Sequence, residues 1–498
     1  MHIFSIDPQK LIDQFRYHAD EPLLFTSGLF LFLFIGFLLI YIPLSKTHRP
    51  KLIFTILFSL YFYYKSSGLF FLLLISTTCI DYALAHLIYE NRTPWKRSVL
   101  LTFSLVSNLG LLGYFKYTNL IHEIFSHMAG LPYQPFDIFL PVGVSFFTFQ
   151  SLSYTIDVYR KKIAPCQHIL DYAFFVSFFP QLVAGPIVRA SDFLPQLPKP
   201  TLVTHEMFGR GIFLITIGLF KKAVISNYIS ANFVDRIFDA PAFFTGLENL
   251  FGVYGYALQI YCDFSGYSDM AIGMALLLGF HFNENFRAPY QAKNIADFWK
   301  RWHISLSTWL RDYLYISLGG NRNGKLRTYI NVMITMLLGG LWHGASLRFI
   351  LWGGLHGISL VIHKIYSKSK IHLTLKQTPL IKTGSNVIST LLTFHFVCFA
   401  WIFFRAHSME VARQIIIQIL FHFSPQVLVE FIRGYWTELV LILLGYVLHF
   451  LPCSFDRAAE QWTIRLPLVG KALLLLAVIF ISIQTKSADI QPFIYFQF

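Results

Sequence analysis

Apolar residues run along this chain in stretches that no charge interrupts, and polar residues collect in the short gaps between them. Runs of spanning or near-spanning length extend from Leu23 to Ser45, Ser98 to Phe115, Ile138 to Ile156, Thr328 to Leu347, Gly384 to Phe404 and Leu439 to Phe455. A helix needs roughly 20 such residues to cross a hydrocarbon core. Shorter runs at 52–64, 66–80, 172–188, 211–220, 249–262, 270–283, 349–363 and 472–485 raise the expectation to about 10 to 13 membrane segments, several too short to cross alone. The pattern predicts an all-α integral membrane protein. With no internal repeat, low-complexity tract or long polar linker, it reads as a single polytopic domain over residues 1–498. The tail from about 406 differs: residues 406–435 are amphipathic, Glu410, Arg413, Glu430 and Arg433 interrupting the apolar positions, which predicts an interfacial segment.

The first twenty-one residues carry Asp7, Lys10, Asp13, Arg16, Asp20 and Glu21, and the apolar run after them lacks a small-residue cleavage site. This predicts a retained first helix and not a signal peptide.

Composition sharpens the class. Of 498 residues, 55% are apolar and 13% charged, with a mean hydropathy of +0.54, a balance that a water-soluble domain of this size cannot hide from solvent. The net charge of +14 sits in short loops: Lys46, Arg49 and Lys51; Arg92, Lys96 and Arg97; Arg160, Lys161 and Lys162; Arg322, Lys325 and Arg327. That distribution matches positive-inside loops better than a nucleic-acid surface, and leaves open a role for some cations in attracting an anionic cytosolic ligand. The five cysteines (Cys79, Cys166, Cys262, Cys398, Cys453) show no metal or redox spacing and read as buried packing residues.

Residues 284–327 are too charged to cross a bilayer and too aromatic for a solvated loop. Pro289 and Asn294 mark a helix start, Asp297 stands three residues after the cap, and Gly319 with Gly320 marks the stop. The spacing predicts one helix from Ile295 to Leu318, ~36 Å long, with Asp297 and Arg301 paired on one face. Phe298, Trp302, Trp309, Leu310 and Tyr313 form its apolar stripe.

Two histidines stand out. His303 lies in that segment, and His343 lies forty residues later in Gly339-Gly340-Leu341-Trp342-His343-Gly344-Ala345, inside a charge-free run. An ionisable group at membrane depth is costly unless it stays neutral or lines a polar cavity, so it is a functional candidate; a neutral core histidine is the bland alternative. Three features favour chemistry at His343. Flanking glycines let a ligand or another backbone approach closely. Between Asp312 and Glu410 there is no Asp or Glu and there are ten Lys or Arg, so no carboxylate nearby in sequence holds the imidazole charged, and a neutral imidazole is what a general base requires. If the basic loop Arg322 to Arg327 is cytosolic, His343 stands ~24 Å above Arg327, past the midplane of a ~30 Å core. A donor with a thin arm and an anionic head fits that geometry. No G-x-S-x-G elbow is present, and neither histidine has an Asp four residues on, which leaves direct transfer onto a hydroxyl as the simplest scheme.

At these residues the sequence resembles the membrane-bound O-acyltransferase (MBOAT) family, and within it the bacterial alginate O-acetyltransferase-like branch. The resemblance runs through Phe179 to Arg189 (FPQLVAGPIVR), Gly218 to Lys222, Tyr261 to Asp269 (YCDFSGYSD), Asn285 to Tyr290, Asp297 to Ser307 (DFWKRWHISLS), Gly319 to Arg322, Gly339 to Ala345 and the terminal Phe493 to Phe498. It marks 140–360 as the catalytic core region. It implies a multi-helix enclosure, some of its helices short or re-entrant, with a cytosolic funnel leading to His303 and His343 as catalytic residues. Trp302, Ser305, Trp342, Gly344 and His356 are expected to line the cavity, packing being the stronger reading for His356. Lys300, Arg301, Arg311 and Arg322 are candidates for the donor's phosphates or for lipid headgroups. Acetyl-CoA is the expected donor, with no resident cofactor and no metal. Relatives in the family pass acyl groups to a separate extracytoplasmic transferase of the SGNH type, and this chain carries no Gly-Asp-Ser triplet of its own. The implied function is O-acetylation of a cell-surface polysaccharide from the bacterial inner membrane, with no nucleic-acid partner. Asp263 and Asp269, six apart and so about 120° apart on a helix, are expected to be structural partners for Arg or backbone amides rather than a carboxylate dyad. Peptidoglycan O-acetylation and D-alanyl transfer remain open, as do two other classes: a proton-coupled transporter and a membrane scaffold without chemistry of its own.

Overall fold

The structure, a computed structural model, describes residues 8–19, 21–183, 185–199, 201–367 and 379–485. The terminal motif Phe493 to Phe498, Ala184 of the FPQLVAGPIVR run, Asp7 and Asp20 lie outside the described residues. Regular structure among the described residues is entirely helical. The chain divides into two compact units, one of residues 1–204 with 274–282, the other of residues 205–273 with 283–498.

The first unit contains α1 (Gly28–Leu44), α2 (His48–Ser67), α3 (Phe71–Glu90), α4 (Pro94–Leu112), α5 (Val144–Tyr159) and α6 (Ile169–Ser177). Ser27 starts α1 by accepting a hydrogen bond from the Phe30 amide, and Pro94 opens α4 at a position where its missing N–H has no helical partner. Phe30, Phe34, Phe37 and Phe62 gather around the buried Phe179 ring, with centroids 5.6–6.3 Å from it. Inside the unit, Asp81 is buried and accepts from Ser104 Oγ at 2.8 Å and from Asn108 Nδ2 at 2.9 and 3.0 Å, so the carboxylate is solvated by neighbouring helices in place of water.

The second unit is built on α7 (His205–Leu219), α8 (Gly246–Leu277, of which residues 246–273 belong to this unit), the short α9 (Ile295–Phe298) and α10 (Ile304–Trp309), then α11 (Gly324–His343), α12 (Leu347–Tyr366) and α13 (Pro379–Arg405). Its tail adds α14 (Met409–Phe421), α15 (Leu428–Gly434), α16 (Trp436–Phe450), α17 (Cys453–Arg465) and α18 (Leu468–Gln484). Among the described residues, five helices are long and apolar enough to cross a membrane, or up to seven if each bent pair is one span. The estimate of about 10 to 13 segments included shorter runs, which lie within longer helices or form short ones. The run Thr328 to Leu347 is interrupted: α11 ends at His343 and α12 restarts after Ser346, whose side chain caps it. The amphipathic tail segment appears as two helices, Met409–Phe421 and Pro425–Gly434, bent by 91°.

Two expectations are corrected here. The helix read from Ile295 to Leu318 is broken at His303, which takes a left-handed backbone (φ 43°, ψ 56°) between α9 and α10. Its caps are nonetheless as read: Asn294 accepts from the Asp297 amide at 2.9 Å, Arg301 Nε donates to Asp297 Oδ1 at 2.9 Å, and Gly319 and Gly320 have positive φ. The stripe residues Phe298, Trp302, Trp309, Leu310 and Tyr313 are all buried. Of the cysteines, only Cys262 and Cys398 are buried; Cys79 and Cys453 are exposed and Cys166 is half-buried. The outer face of a membrane helix is itself apolar, so a thiol needs no core to be accommodated there.

α7 and α8 cross with almost nothing between their backbones. A side-chain carbon at Gly218 would lie 2.5 Å from the Gly266 carbonyl oxygen, and one at Gly266 would lie 2.6 Å from that of Gly218. Just beyond the crossing the chain turns as a π-helix over Phe220–Ser226, and Lys222 ion-pairs with Asp263 while Lys221 Nζ donates to Asp269 Oδ2 at 2.8 Å. Neighbouring lysines thus serve carboxylates on different faces of α8; the partners of Asp263 and Asp269 are lysines and not the arginines or backbone amides expected.

Lys222 and Asp263 are almost fully buried, at 2% and 5% side-chain exposure. Removing one partner strands a charge in low dielectric, at about 3–5 kcal/mol, whereas an apolar pair of similar volume can be near neutral. Lys222→Met should therefore lower the thermal midpoint in detergent sharply, and Lys222→Met with Asp263→Leu should recover most of the loss. A single variant as stable as the parent would show that the pair contributes nothing.

Candidate active site

His343 is the last residue of α11, where the helix stops against Gly344. Its ring is 2% exposed and faces three aromatic rings at near-perpendicular angles: Trp342 at 5.0 Å, Trp352 of α12 at 5.0 Å and Phe404 of α13 at 5.3 Å between centroids. The His303 ring lies 6.4 Å away. Two imidazoles forty residues apart in sequence are therefore brought into one aromatic enclosure.

His303 is fully buried, its ring 4.6 Å from Phe264 and 5.8 Å from Trp342, and neither ring nitrogen has a hydrogen-bond partner. Its left-handed backbone is fixed from outside the segment. The Asn285 carbonyl accepts from the Ile304 amide at 2.9 Å, and the Asn285 side chain accepts from Ser305 N at 3.2 Å and Ser305 Oγ at 2.9 Å. The Asn285 amide in turn donates to Ser268 Oγ of α8 at 3.0 Å. A non-glycine residue with positive φ is uncommon and is held only where its surroundings over-determine it. Asn285 therefore orients His303, a role that no spacing in the sequence reveals.

The glycines near His343 have a different use from ligand access. A side-chain carbon at Gly340 would collide with the Phe349 carbonyl, and one at Gly353 with the Met336 carbonyl. α11 and α12 thus pack backbone against backbone, the second of the two possibilities that the sequence left. Gly344 has extended backbone (φ −167°), and the space beside its Cα is filled by the Phe349 ring. A hydrophobic driving force is absent between helices in lipid, so this close approach is what holds the pair together.

The other expected residues divide. Trp302 is 1% exposed, stacked at 5.7 Å on Phe298 and 5.0 Å from Trp401. Ser305 is turned to Asn285. His356 is buried between Trp352 at 4.7 Å and Trp299 at 5.2 Å, with both ring nitrogens unpartnered. Of the four cations, Arg301 is bonded to Asp297 and Arg311 to Asp312 at 2.6 Å, while Lys300 and Arg322 are exposed. Among the described residues no group of His, Cys, Asp and Glu is placed to hold a metal ion. Trp352 and Phe404, which approach His343, and Trp401, which packs against both of them, carry no periodic signal in the sequence, because they come from separate helices.

The membrane-bound O-acyltransferase family model matches residues 160–404, a span that contains both histidines. A peptidoglycan O-acetyltransferase of Helicobacter pylori is 37% identical over 426 residues, covering 79% of each chain. A probable alginate O-acetylase of Pseudomonas aeruginosa is 38% identical over 440 residues, 86% of this chain and 81% of its own. A teichoic acid D-alanyltransferase of Bacillus subtilis is 30% identical over 285 residues, 54% of this chain and 70% of its own.

Packing against the Phe349 ring makes a direct prediction. Gly344→Ala should destabilise the protein by about 1–3 kcal/mol through overpacking, read as a lowered thermal midpoint. Adding Phe349→Val should restore part of it, and equal midpoints for Gly344→Ala and the parent would show that the turn yields freely.

Proposed function

The chain belongs to the membrane-bound O-acyltransferase family, and from that membership we propose that it moves an acetyl group from cytosolic acetyl-CoA across the membrane to a hydroxyl of an extracytoplasmic polysaccharide. It is an acyltransferase and a multi-pass membrane protein. The observation that carries the reading is the juxtaposition of His343 and His303, 6.4 Å apart inside one aromatic enclosure within the family-matched region.

The proposed step is direct transfer. His343 takes the proton of the acceptor hydroxyl as its oxygen attacks the thioester carbonyl. A C–O bond forms, the C–S bond breaks, and the leaving thiolate takes the proton from His343. His303, lodged among Phe264 and Trp342, orients the thioester. Both rings are suited to begin neutral, since a buried charged imidazole among aromatic walls is costly. Because His343 is 2% exposed, the reactants reach it by parting rings contributed by separate helices, Trp352 and Phe404.

Direction follows from charge. With Arg322 to Arg327 on the cytosolic side, the continuous α11 sets His343 ~24 Å above Arg327. The anionic head of the donor then stays with exposed cations such as Lys300 and Arg322 while its arm reaches upward, Arg301 and Arg311 being already bonded to their own carboxylates. The bacterial inner membrane is the setting, and an extracytoplasmic SGNH-type transferase is the partner, which presents the acceptor hydroxyl to the site. The acceptor reading rests on the alginate O-acetylase relatives, and the peptidoglycan O-acetyltransferase at 37% identity favours peptidoglycan as a second polymer. Both offer sugar hydroxyls to the same chemistry.

Purified protein given acetyl-CoA, its partner and acceptor polymer should release free CoA, which a carrier would not. His343→Ala and His343→Gln should each insert normally and lose about 10²–10⁴-fold in transfer, the usual contribution of a general base. His303→Ala should lose comparable activity with donor binding retained. Full transfer by the His343 variants would remove the assignment.

A further inference from the structure

Two basic connections that are far apart in sequence meet in the first unit. Residues 91–97 close α3 and open α4, and residues 160–164 follow α5. Read singly, each is a positive-inside loop. In the fold they line one pocket of about 500 Å³, whose walls carry Arg92, Arg97, Lys161 and Lys162 against one carboxylate, Glu90. Topology alone requires cations on one side of the membrane; it does not require them to converge on a cavity.

The four cations are not equivalent. Arg97 is structural: its Nε donates to the Ile88 carbonyl at 3.1 Å, its Nη2 donates to the Tyr159 carbonyl, and its guanidinium lies 5.1 Å from the Tyr159 ring. It thereby covers last-turn carbonyls of both α3 and α5, whose partial negative charge would otherwise face the pocket. Lys162 shares its charge with Asp157 at 3.4 Å, a carboxylate 3% exposed, and is itself 53% exposed. Lys161 has a left-handed backbone (φ 58°) at the end of α5, where its amide and that of Lys162 donate to the Val158 and Asp157 carbonyls. Glycine usually fills such a position; here it carries an ammonium group on the pocket wall.

The height of the pocket is fixed by the helices around it. The spanning stretch His48–Glu90 ends at its rim, and the spanning stretch Pro94–Ala129 begins there. Trp95 is 64% exposed with the Lys96 ammonium 5.8 Å from its ring, and Tyr89 on the pocket wall is 48% exposed. Exposed Trp and Tyr at helix ends mark the level of lipid headgroups. A cationic cavity at that level, with a guanidinium and ammonium groups as donors and few acceptors, matches the chemistry of a phosphate.

We propose that this pocket is a phosphate-binding site, occupied by the phosphate of an anionic phospholipid headgroup or of a soluble phosphate-bearing ligand. It is separate from the histidine enclosure, whose residues all belong to the other unit, and it does not depend on the acyl-transfer reading.

The test uses the full chain in lipid nanodiscs, as parent and as Arg92→Gln with Lys161→Gln, both exposed positions whose loss leaves the Arg97 bonds in place. Phosphatidylglycerol and phosphatidylcholine are compared by native mass spectrometry, and inorganic pyrophosphate is titrated in phosphatidylcholine alone. Each cation near the surface is worth about a fivefold change in anion affinity, so the double variant should bind roughly 20- to 30-fold more weakly. Selective retention of phosphatidylglycerol, lost in the variant and not displaced by pyrophosphate, identifies the lipid source. Pyrophosphate binding without anionic lipid, lost in the variant, identifies the soluble one. Acylation of Lys161 by an amine-reactive probe, slowed by the bound anion, checks the parent without mutation. Equal behaviour of parent and variant toward both probes, with Lys161 labelled at the same rate throughout, would overturn the proposal.

Discussion

Gly340 and Gly353 let α11 and α12 touch through their backbones, and the geometry of the candidate chemistry follows from that contact. Lipid tails are as apolar as leucine, so apolar side chains gain little by pairing two helices in a membrane; close backbone approach gains dispersion contacts that lipid cannot match. With the helices fixed at that point, α11 delivers His343 three residues beyond Gly340, and α12 delivers Trp352 immediately before Gly353. The 5.0 Å separation of those two rings is a consequence of the crossing, as is the turn through Gly344 that stops α11 against the Phe349 ring.

The interior treats charges and imidazoles differently. Where a lysine is buried, an oxygen meets it: Lys222 has Asp263, Lys471 donates to the Ile464 carbonyl at 2.9 Å, and Lys51 donates to the Thr201 hydroxyl at 3.2 Å. Such groups cannot shed their charge cheaply, so desolvation must be offset by a partner. The ring nitrogens of His303 and His356 have no hydrogen-bond partner at all. An imidazole can be neutral near physiological pH, so it tolerates an aromatic setting at a cost that a lysine could not bear. The same property makes a histidine suitable as a base in that setting, provided reactants can part the rings around it.

Much of the architecture was legible because local rules act within a few residues. The Asn294 cap, the Asp297–Arg301 pair, the Gly319–Gly320 stop and the buried aromatic stripe all follow from short spacings, and all are present. The continuous helix drawn between them fails at one residue. Asn285, from another part of the chain, bonds Ile304 and Ser305 and leaves His303 in a left-handed turn. Nothing in the 295–318 pattern registers that contact, since His303 is neither glycine nor proline. Cys79, exposed on an apolar helix long enough to span, fails for a related reason: hydrophobicity places a residue out of water, and in a membrane protein that includes the lipid-facing surface.

The helical membrane class and the family could be read from the chain alone, and the two histidines could be picked out as candidates, because hydropathy, capping and motif spacing are properties of neighbouring residues. Tertiary structure decided which groups share a space. It set His343 against Trp352 and Phe404, assigned Lys221 and Lys222 to different aspartates, and joined two separate basic loops into one pocket. Those outcomes depend on where helices cross and how closely their backbones approach, which is fixed by contacts between residues tens of positions apart and has no period along the chain.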